Sequence, residues 1–146
     1  MLAIPYLLID CKPIQIRFRR MSGDGPKYMT MTGDRSRMFN VGSVVNASSE
    51  IHVTEGEFDC MILTQCGLNA VAIPGVHNFK DHHVALLAGF QTVYLWGDPD
   101  EPGREFNAKV RNAVPRSRIV PLSGGDINDT YLAGGCDEIY RLRSEA

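Results

Sequence analysis

From Ser49 onward the chain repeats one grammar, a short apolar run followed by a helical stretch, and that alternation leads to βαβ units and a parallel sheet. Four runs carry the strand signal, at residues 51–54, 70–73, 92–96 and 118–122. The first predicted helix covers 58–66 and stops at Gly67, a residue suited to the position just past a helix end. A second covers 81–89. A third begins near Pro102, which a first helical turn tolerates, and runs to Ala113 before Pro115 ends it. Residues 128–143 read as two short helices broken at Gly134-Gly135. The expectation is an α/β fold, a parallel four-stranded sheet with helices on both faces.

The front of the chain follows a different pattern. Residues 14–19 alternate apolar and polar, the period of a half-buried strand, with Ile14, Ile16 and Phe18 expected inward and Arg17 and Arg19 side by side on the exposed face. Ser22-Gly23-Asp24-Gly25-Pro26 reads as a turn, and Lys27-Tyr28-Met29 begins another extended segment. Residues 1–47 are therefore expected to form a small β-rich piece ahead of an α/β domain over 48–146. A chain of 146 residues can hold one domain and such an appendage.

The longest apolar run, residues 2–9, falls far short of the roughly 20 residues of a membrane span. No basic stretch precedes it, so it is not a secretory signal, and a cytoplasmic protein with no membrane partner is expected. The net charge of −2 supplies no global field for a polyanion, so any such binding must be local. Lys12, Arg17, Arg19, Arg20, Lys27, Arg35 and Arg37, against only Asp24 and Asp34, form a basic stretch. The four cysteines show no metal-knuckle or disulfide spacing and are expected as reduced thiols, with Cys60 and Cys66 as core filler. His77 and His82 lack the i, i+4 spacing of a helical zinc pair; His82 and His83 are expected exposed on a helix, and Trp96 in the core.

In open parallel sheets ligands bind beyond the carboxyl ends of the strands. Three of the four loops there open with acid: Glu55-Gly56-Glu57-Phe58-Asp59, Asp98-Pro99-Asp100-Glu101 and Gly124-Gly125-Asp126-Ile127-Asn128-Asp129. Carboxylates gathered at one rim repel unless neutralised, and the partner of an all-oxygen cluster is Mg²⁺ or Mn²⁺. Two such ions can hold the attacking and leaving oxygens of a phosphoryl displacement. Pro99 favours an extended backbone at Asp98, which turns Asp98 and Asp100 the same way. Simpler accounts stand beside this one. Thr54 and Glu57 fit a capping box, Asp59 adds charge to a helix start, Asp100 fits a plain N-cap, and Gly124-Gly125-Asp126 a turn.

Residues 51–76, IHVTEGEFDCMILTQCGLNAVAIPGV, resemble the first motif of the Toprim fold as it occurs in bacterial primases and phage primase-helicases: strand, Glu-Gly-x-x-Asp, helix, Gly, strand. Asp98-x-Asp100-x-x-Gly103-Arg104 is similar to the family's DxDxxG element, and Gly125-Asp126-Ile127-Asn128-Asp129 to its later acidic segment. Arg19 and Pro26-Lys27-Tyr28 resemble the basic residues beside the metal centre of the primase polymerase core. The resemblance implies Glu55, Asp98 and Asp100 as catalytic residues. It implies Glu55, Asp98, Asp100, Asp126 and Asn128 around Mg²⁺ or Mn²⁺, with Asp59, Gly56 and Gly103 in support. Arg17, Arg19 and Lys27 would meet nucleotide or nucleic acid.

The implied activity is primer synthesis, a ribonucleotide 3′-hydroxyl attacking the α-phosphate of a ribonucleoside triphosphate on a single-stranded DNA template. Val41 stands where the family often carries a basic residue, and Asn128 where bacterial primases have Asp. A zinc-binding module and a helicase domain are missing, so the resemblance implies a fragment or a split-gene or phage form, partnered by a separately encoded zinc-binding N-terminal primase part and a replicative helicase. Two rivals remain: a Toprim nuclease using the same carboxylates, and a non-catalytic module binding DNA or a replication partner. A topoisomerase would need a nucleophilic tyrosine in another domain.

Overall fold

The computed structural model describes residues 1–146, the side chain of Val76 excepted. Two sheets share the chain. The first is antiparallel, ordered β1 (Leu2–Leu7), β2 (Pro13–Arg19), β3 (Tyr28–Thr30). The strand expected over 14–19 is present, but its faces are reversed. Gln15 is 8% exposed and Arg17 part-buried, whereas Ile14 and Ile16 are 39% and 40% exposed. An alternating pattern distinguishes two faces without saying which is covered. Here the register pairs Ile4 with Arg17 and Tyr6 with Gln15, so β1 supplies the apolar part of the covered face and β2 its polar part.

A short helix, α1 (Gly42–Asn46), leads into the second sheet: β4 (Glu50–Thr54), β5 (Ala70–Ala72), β6 (Thr92–Trp96) and β7 (Ser117–Ile119). These strands lie in the order β5-β4-β6-β7 and every pair is parallel. Between and after them come α2 (Glu57–Gln65), a 3₁₀ turn (Val76–Asn78), α3 (Asp81–Leu87), α4 (Glu101–Ala113) and α5 (Ile127–Ser144). β7 is shorter than expected. The Val120 N–H still donates to the Leu95 carbonyl at 2.9 Å, but Pro121 has no N–H with which to continue the ladder. Within α5, Gly135 takes the non-helical φ of 65° and ψ of −156°, the break anticipated at the glycine pair.

Strand alternation builds two cores. Ile51, Val53, Val71, Ile73, Val93 and Leu95 face one side, where they bury Leu87 of α3 and Phe106 and Val110 of α4. Ala70, Ala72 and Trp96 face the other, under Cys60 and Leu63 of α2 and Ile127, Ile139 and Leu142 of α5. Each of the larger buried side chains contributes roughly 1.5–3 kcal/mol. Trp96, in the core as expected, gives its indole N–H to His52 Nδ1 at 2.9 Å, which satisfies the one polar group it buries.

Two expectations are corrected. Cys66 and Cys136 form a disulfide, their Cα atoms 5.3 Å apart, because the C-terminus of α2 lies beside the Gly135 break in α5. Only Cys11 and Cys60 are free thiols. His82 is exposed, but His83 is buried: its Nδ1 accepts the Lys80 N–H and its ring stacks near Phe79, so it closes the start of α3. Burial pushes its pKa down to about 4. No helix among the described residues is long and apolar enough to cross a membrane.

Candidate active site

β4 ends at Thr54 and β6 at Trp96, side by side in register, so the loops that follow them emerge together at the carboxyl edge of the sheet. Thr54 does not cap α2. Its hydroxyl donates to the Gly56 carbonyl at 2.9 Å, and the helix begins after Gly56, which leaves Glu57 in the first turn rather than at the reciprocal capping position. Glu57 is 1% exposed. Its Oε1 accepts the Tyr6 hydroxyl and an Arg17 N–H, each at 2.7 Å, and so ties the antiparallel sheet to the α/β unit.

That tie brings two kinds of surface to one cavity of about 520 Å³. Glu55, Asp59, Asp98, Asp126 and Asn128 line it together with Arg17, Arg19 and Lys27 and the rings of Tyr28 and Phe58. Arg17 lies 4.2 Å from the Tyr28 ring centre and Arg19 lies 4.3 Å from that of Phe58. Stacking of this kind holds a guanidinium plane without consuming its N–H donors. The basic residues thus keep hydrogen-bonding capacity toward the cavity.

The acidic residues are electrostatically strained. Burial, then the charges of Asp98 and Asp100, push the Glu55 pKa up to about 7. Burial, then Asp98 and Asp126, push Asp59 up to about 7. Asp98 is raised by burial and by Asp100 and Asp126, with Lys27 opposing. Glu55 Oε1 is buried with no hydrogen-bond partner.

Glycines permit this crowding. A Cβ at Gly56 would stand 2.4 Å from Asp59 Oδ2, and one at Gly103 would stand 2.1 Å from the Asp98 carbonyl oxygen. Gly97, next to Asp98, is pinned by its N–H to the Asn107 side-chain oxygen at 3.0 Å. Asp126 caps α5, accepting the Asp129 N–H at 2.9 Å. Asp100 caps α4 through the Gly103 N–H at 2.9 Å and lies outside the cavity lining, although its charge reaches Glu55 and Asp98. The plain N-cap account of Asp100 therefore describes its contact. Among the described residues, no three acidic, histidine or cysteine side chains already form a ready coordination set.

Tyr6 and Asn107 escaped the sequence reading, and Glu57 entered it as a capping residue rather than as the partner of Tyr6 and Arg17. Only Asn107 left a local signal, a polar residue in the Gly103, Phe106, Val110 stripe of α4 that faces the core.

A parallel sheet in the order β5-β4-β6-β7, with acids on its carboxyl-edge loops, defines a Toprim-type α/β domain. The Toprim-like family model matches residues 52–131, and the chain belongs to that family. Gene 57 protein of Mycobacterium phage D29 is 36% identical over 143 residues, with 94% of each chain covered. The fold is that of primase catalytic cores. The Aquifex aeolicus primase zinc-binding and RNA polymerase domains superpose with a TM-score of 0.82 at 23% identity, covering 98% of this chain and 39% of that one. The E. coli primase catalytic core gives 0.79 at 22%, covering 99% and 51%. The primase fragment of the bacteriophage T7 primase-helicase protein gives 0.77 at 24%, covering 96% and 60%. The chain thus spans between about two fifths and three fifths of these solved chains.

Proposed function

We propose that this chain is the catalytic Toprim part of a DNA primase of phage or split-gene type, joining ribonucleotides on single-stranded DNA. The observation that carries the reading is that three carboxyl groups of raised proton affinity, Glu55, Asp59 and Asp98, share the lining of one cavity with Arg19 and Lys27. The donor set fits a hard divalent cation: all oxygen, mutually repelling, with an orphaned Glu55 Oε1. Glu55, Asp98 and Asp126, with Asp100 and Asn128 adjoining, would hold Mg²⁺ or Mn²⁺, which supplies charge neutralisation at the phosphate and activation of the attacking hydroxyl. The chain's own residues bind and orient. Arg19 and Lys27 meet phosphate oxygens, Arg as a fork and Lys as a point charge. Glu55, which lines the cavity beside Asp98, is the group assigned to accept the 3′-hydroxyl proton as that oxygen bonds to the α-phosphorus and pyrophosphate leaves.

Residues 1–47 belong in this proposal to the N-terminal portion of a polymerase core, and 48–146 to the Toprim domain. A zinc-binding primase part and a replicative helicase are the expected partners, a reading supported by the likeness to the T7 fragment. The test is to incubate the chain, alone and with such a primase part, with single-stranded DNA, ribonucleotides and Mg²⁺ or Mn²⁺. Short RNA lost on Asp98→Asn supports the proposal. Degraded DNA without nucleotides would instead assign a nuclease, and activity indifferent to Asp98→Asn would remove the carboxylates from the chemistry.

A further inference from the structure

Arg17 and Pro74 line a second cleft, of about 230 Å³, adjoining the acidic cavity. Its wall includes Gln15, Thr30, Arg35, Arg37 and Asn78. Arg35 and Arg37 are exposed, and no hydrogen bond or ion pair engages either guanidinium. Asp34 is the cleft's one carboxylate, and its Oδ2 accepts the Met31 N–H. Gln15 is 8% exposed and its Oε1 is buried without a donor. A buried amide oxygen left unpaired is unfavourable, and a ligand hydroxyl would relieve it.

We propose that this cleft is a second phosphate-binding site, distinct from the acidic rim, in which the Arg35 and Arg37 guanidiniums take phosphate oxygens and the Gln15 amide takes a hydroxyl of the attached sugar. Guanidinium forks match phosphate geometry, and two unpaired cations against one capped carboxylate favour an anion. Arg17 spends one N–H on Glu57 and has others to give to a phosphate in this cleft. The phosphate has two possible sources, the tail of a free ribonucleotide or the backbone of a bound strand. The inference rests on the primer-synthesis reading for the identity of its ligand and needs no cation.

The experiment is run in EDTA so that no divalent cation draws the ligand to the acidic rim. Binding of a ribonucleoside triphosphate and of a single-stranded oligoribonucleotide is titrated with the wild-type chain, with Arg35→Gln/Arg37→Gln and with Gln15→Leu, the last expected to weaken whichever ligand the arginine pair holds. Thermal melting is followed alongside; the two exposed arginines should leave it unchanged. A tenfold or greater loss for triphosphate in the double variant assigns the free nucleotide's tail. A loss confined to the oligonucleotide assigns the strand backbone, and its salt slope should then fall by about 0.7 for each phosphate contact removed. Wild-type affinity for both ligands in the double variant, or no binding by the wild type, would overturn the site. Because no cation is present, that failure is separate from any failure of primer synthesis.

Discussion

Replacing Asp59 by Asn should stabilise the metal-free protein while weakening its hold on Mg²⁺ or Mn²⁺. Asp59 is pushed from 3.8 to about 7, by burial first and then by Asp98 and Asp126. A carboxyl whose pKa is raised by folding binds its proton more tightly in the native state, so its contribution to stability falls as pH rises from about 4 to about 7 and stays low above that. Three units at about 1.4 kcal/mol each give a ceiling of about 4 kcal/mol. The side chain is part-exposed and the neighbouring charges are screened by water, which brings the figure to about 2 kcal/mol. Asn keeps the shape and discards the charge. At pH 8 in EDTA the variant should therefore melt about 5 °C higher than the wild type, at roughly 2–4 °C per kcal/mol. The gain should shrink toward zero as the pH falls through 7 toward 4. Added Mn²⁺ should reverse the order, because a ligand at a hundred times its Kd stabilises the wild type by about 2.7 kcal/mol and the variant much less. Thermal and urea unfolding followed by circular dichroism, across pH and with or without the ion, read all of this. A variant less stable than wild type in EDTA at pH 8, or one that gains as much from Mn²⁺, would refute the electrostatic account.

Gly103→Ala should cost about 2–3 kcal/mol and lower Mn²⁺ affinity about tenfold, because its Cβ would meet the Asp98 backbone at 2.1–2.7 Å; Gly124→Ala, with nothing within 4 Å, is the control in the same urea titration. Glu57→Gln leaves the Arg17 guanidinium unpaired while keeping an acceptor for Tyr6, and should cost about 2 kcal/mol in chemical denaturation, below the 3–5 kcal/mol of a fully buried pair, since Arg17 retains 21% exposure. Cys136→Ser opens a loop of 70 residues and should cost up to about 4 kcal/mol by chain entropy, with the wild type alone showing a reductant-dependent shift on a denaturing gel. In EDTA the wild type should melt higher at pH 6 than at pH 8, since Glu55 and Asp59 both titrate at about 7 from raised values.

What could be read in the sequence was local. Asp98, Asp100 and Gly103 lie within six residues, and the glycine's reason, closeness to the Asp98 backbone, is a property of that one turn. The strand-end acids were legible because parallel topology brings the loops to one edge whatever the intervening helices contain. Contacts between distant segments were not. Glu57 meets partners 40 and 51 residues away, so its first-turn position looked like capping. Cys66 and Cys136 carry no spacing signature at a separation of 70. The reversal of β2 escaped for another reason: what covers its polar face is an ion pair with α2, which hydrophobic alternation does not encode.

Asp100 and Asp126 each commit an oxygen to a backbone N–H at the head of a helix. Their aim is consequently set by where α4 and α5 start, not by neighbouring side chains. Each extra residue wound into a helix turns its first residue by about 100°. A single alanine inserted just after Asp100 would thus turn the carboxylate away from its place while leaving every acid in the composition, so the first turns of these helices should tolerate length change far less readily than the surface turns do.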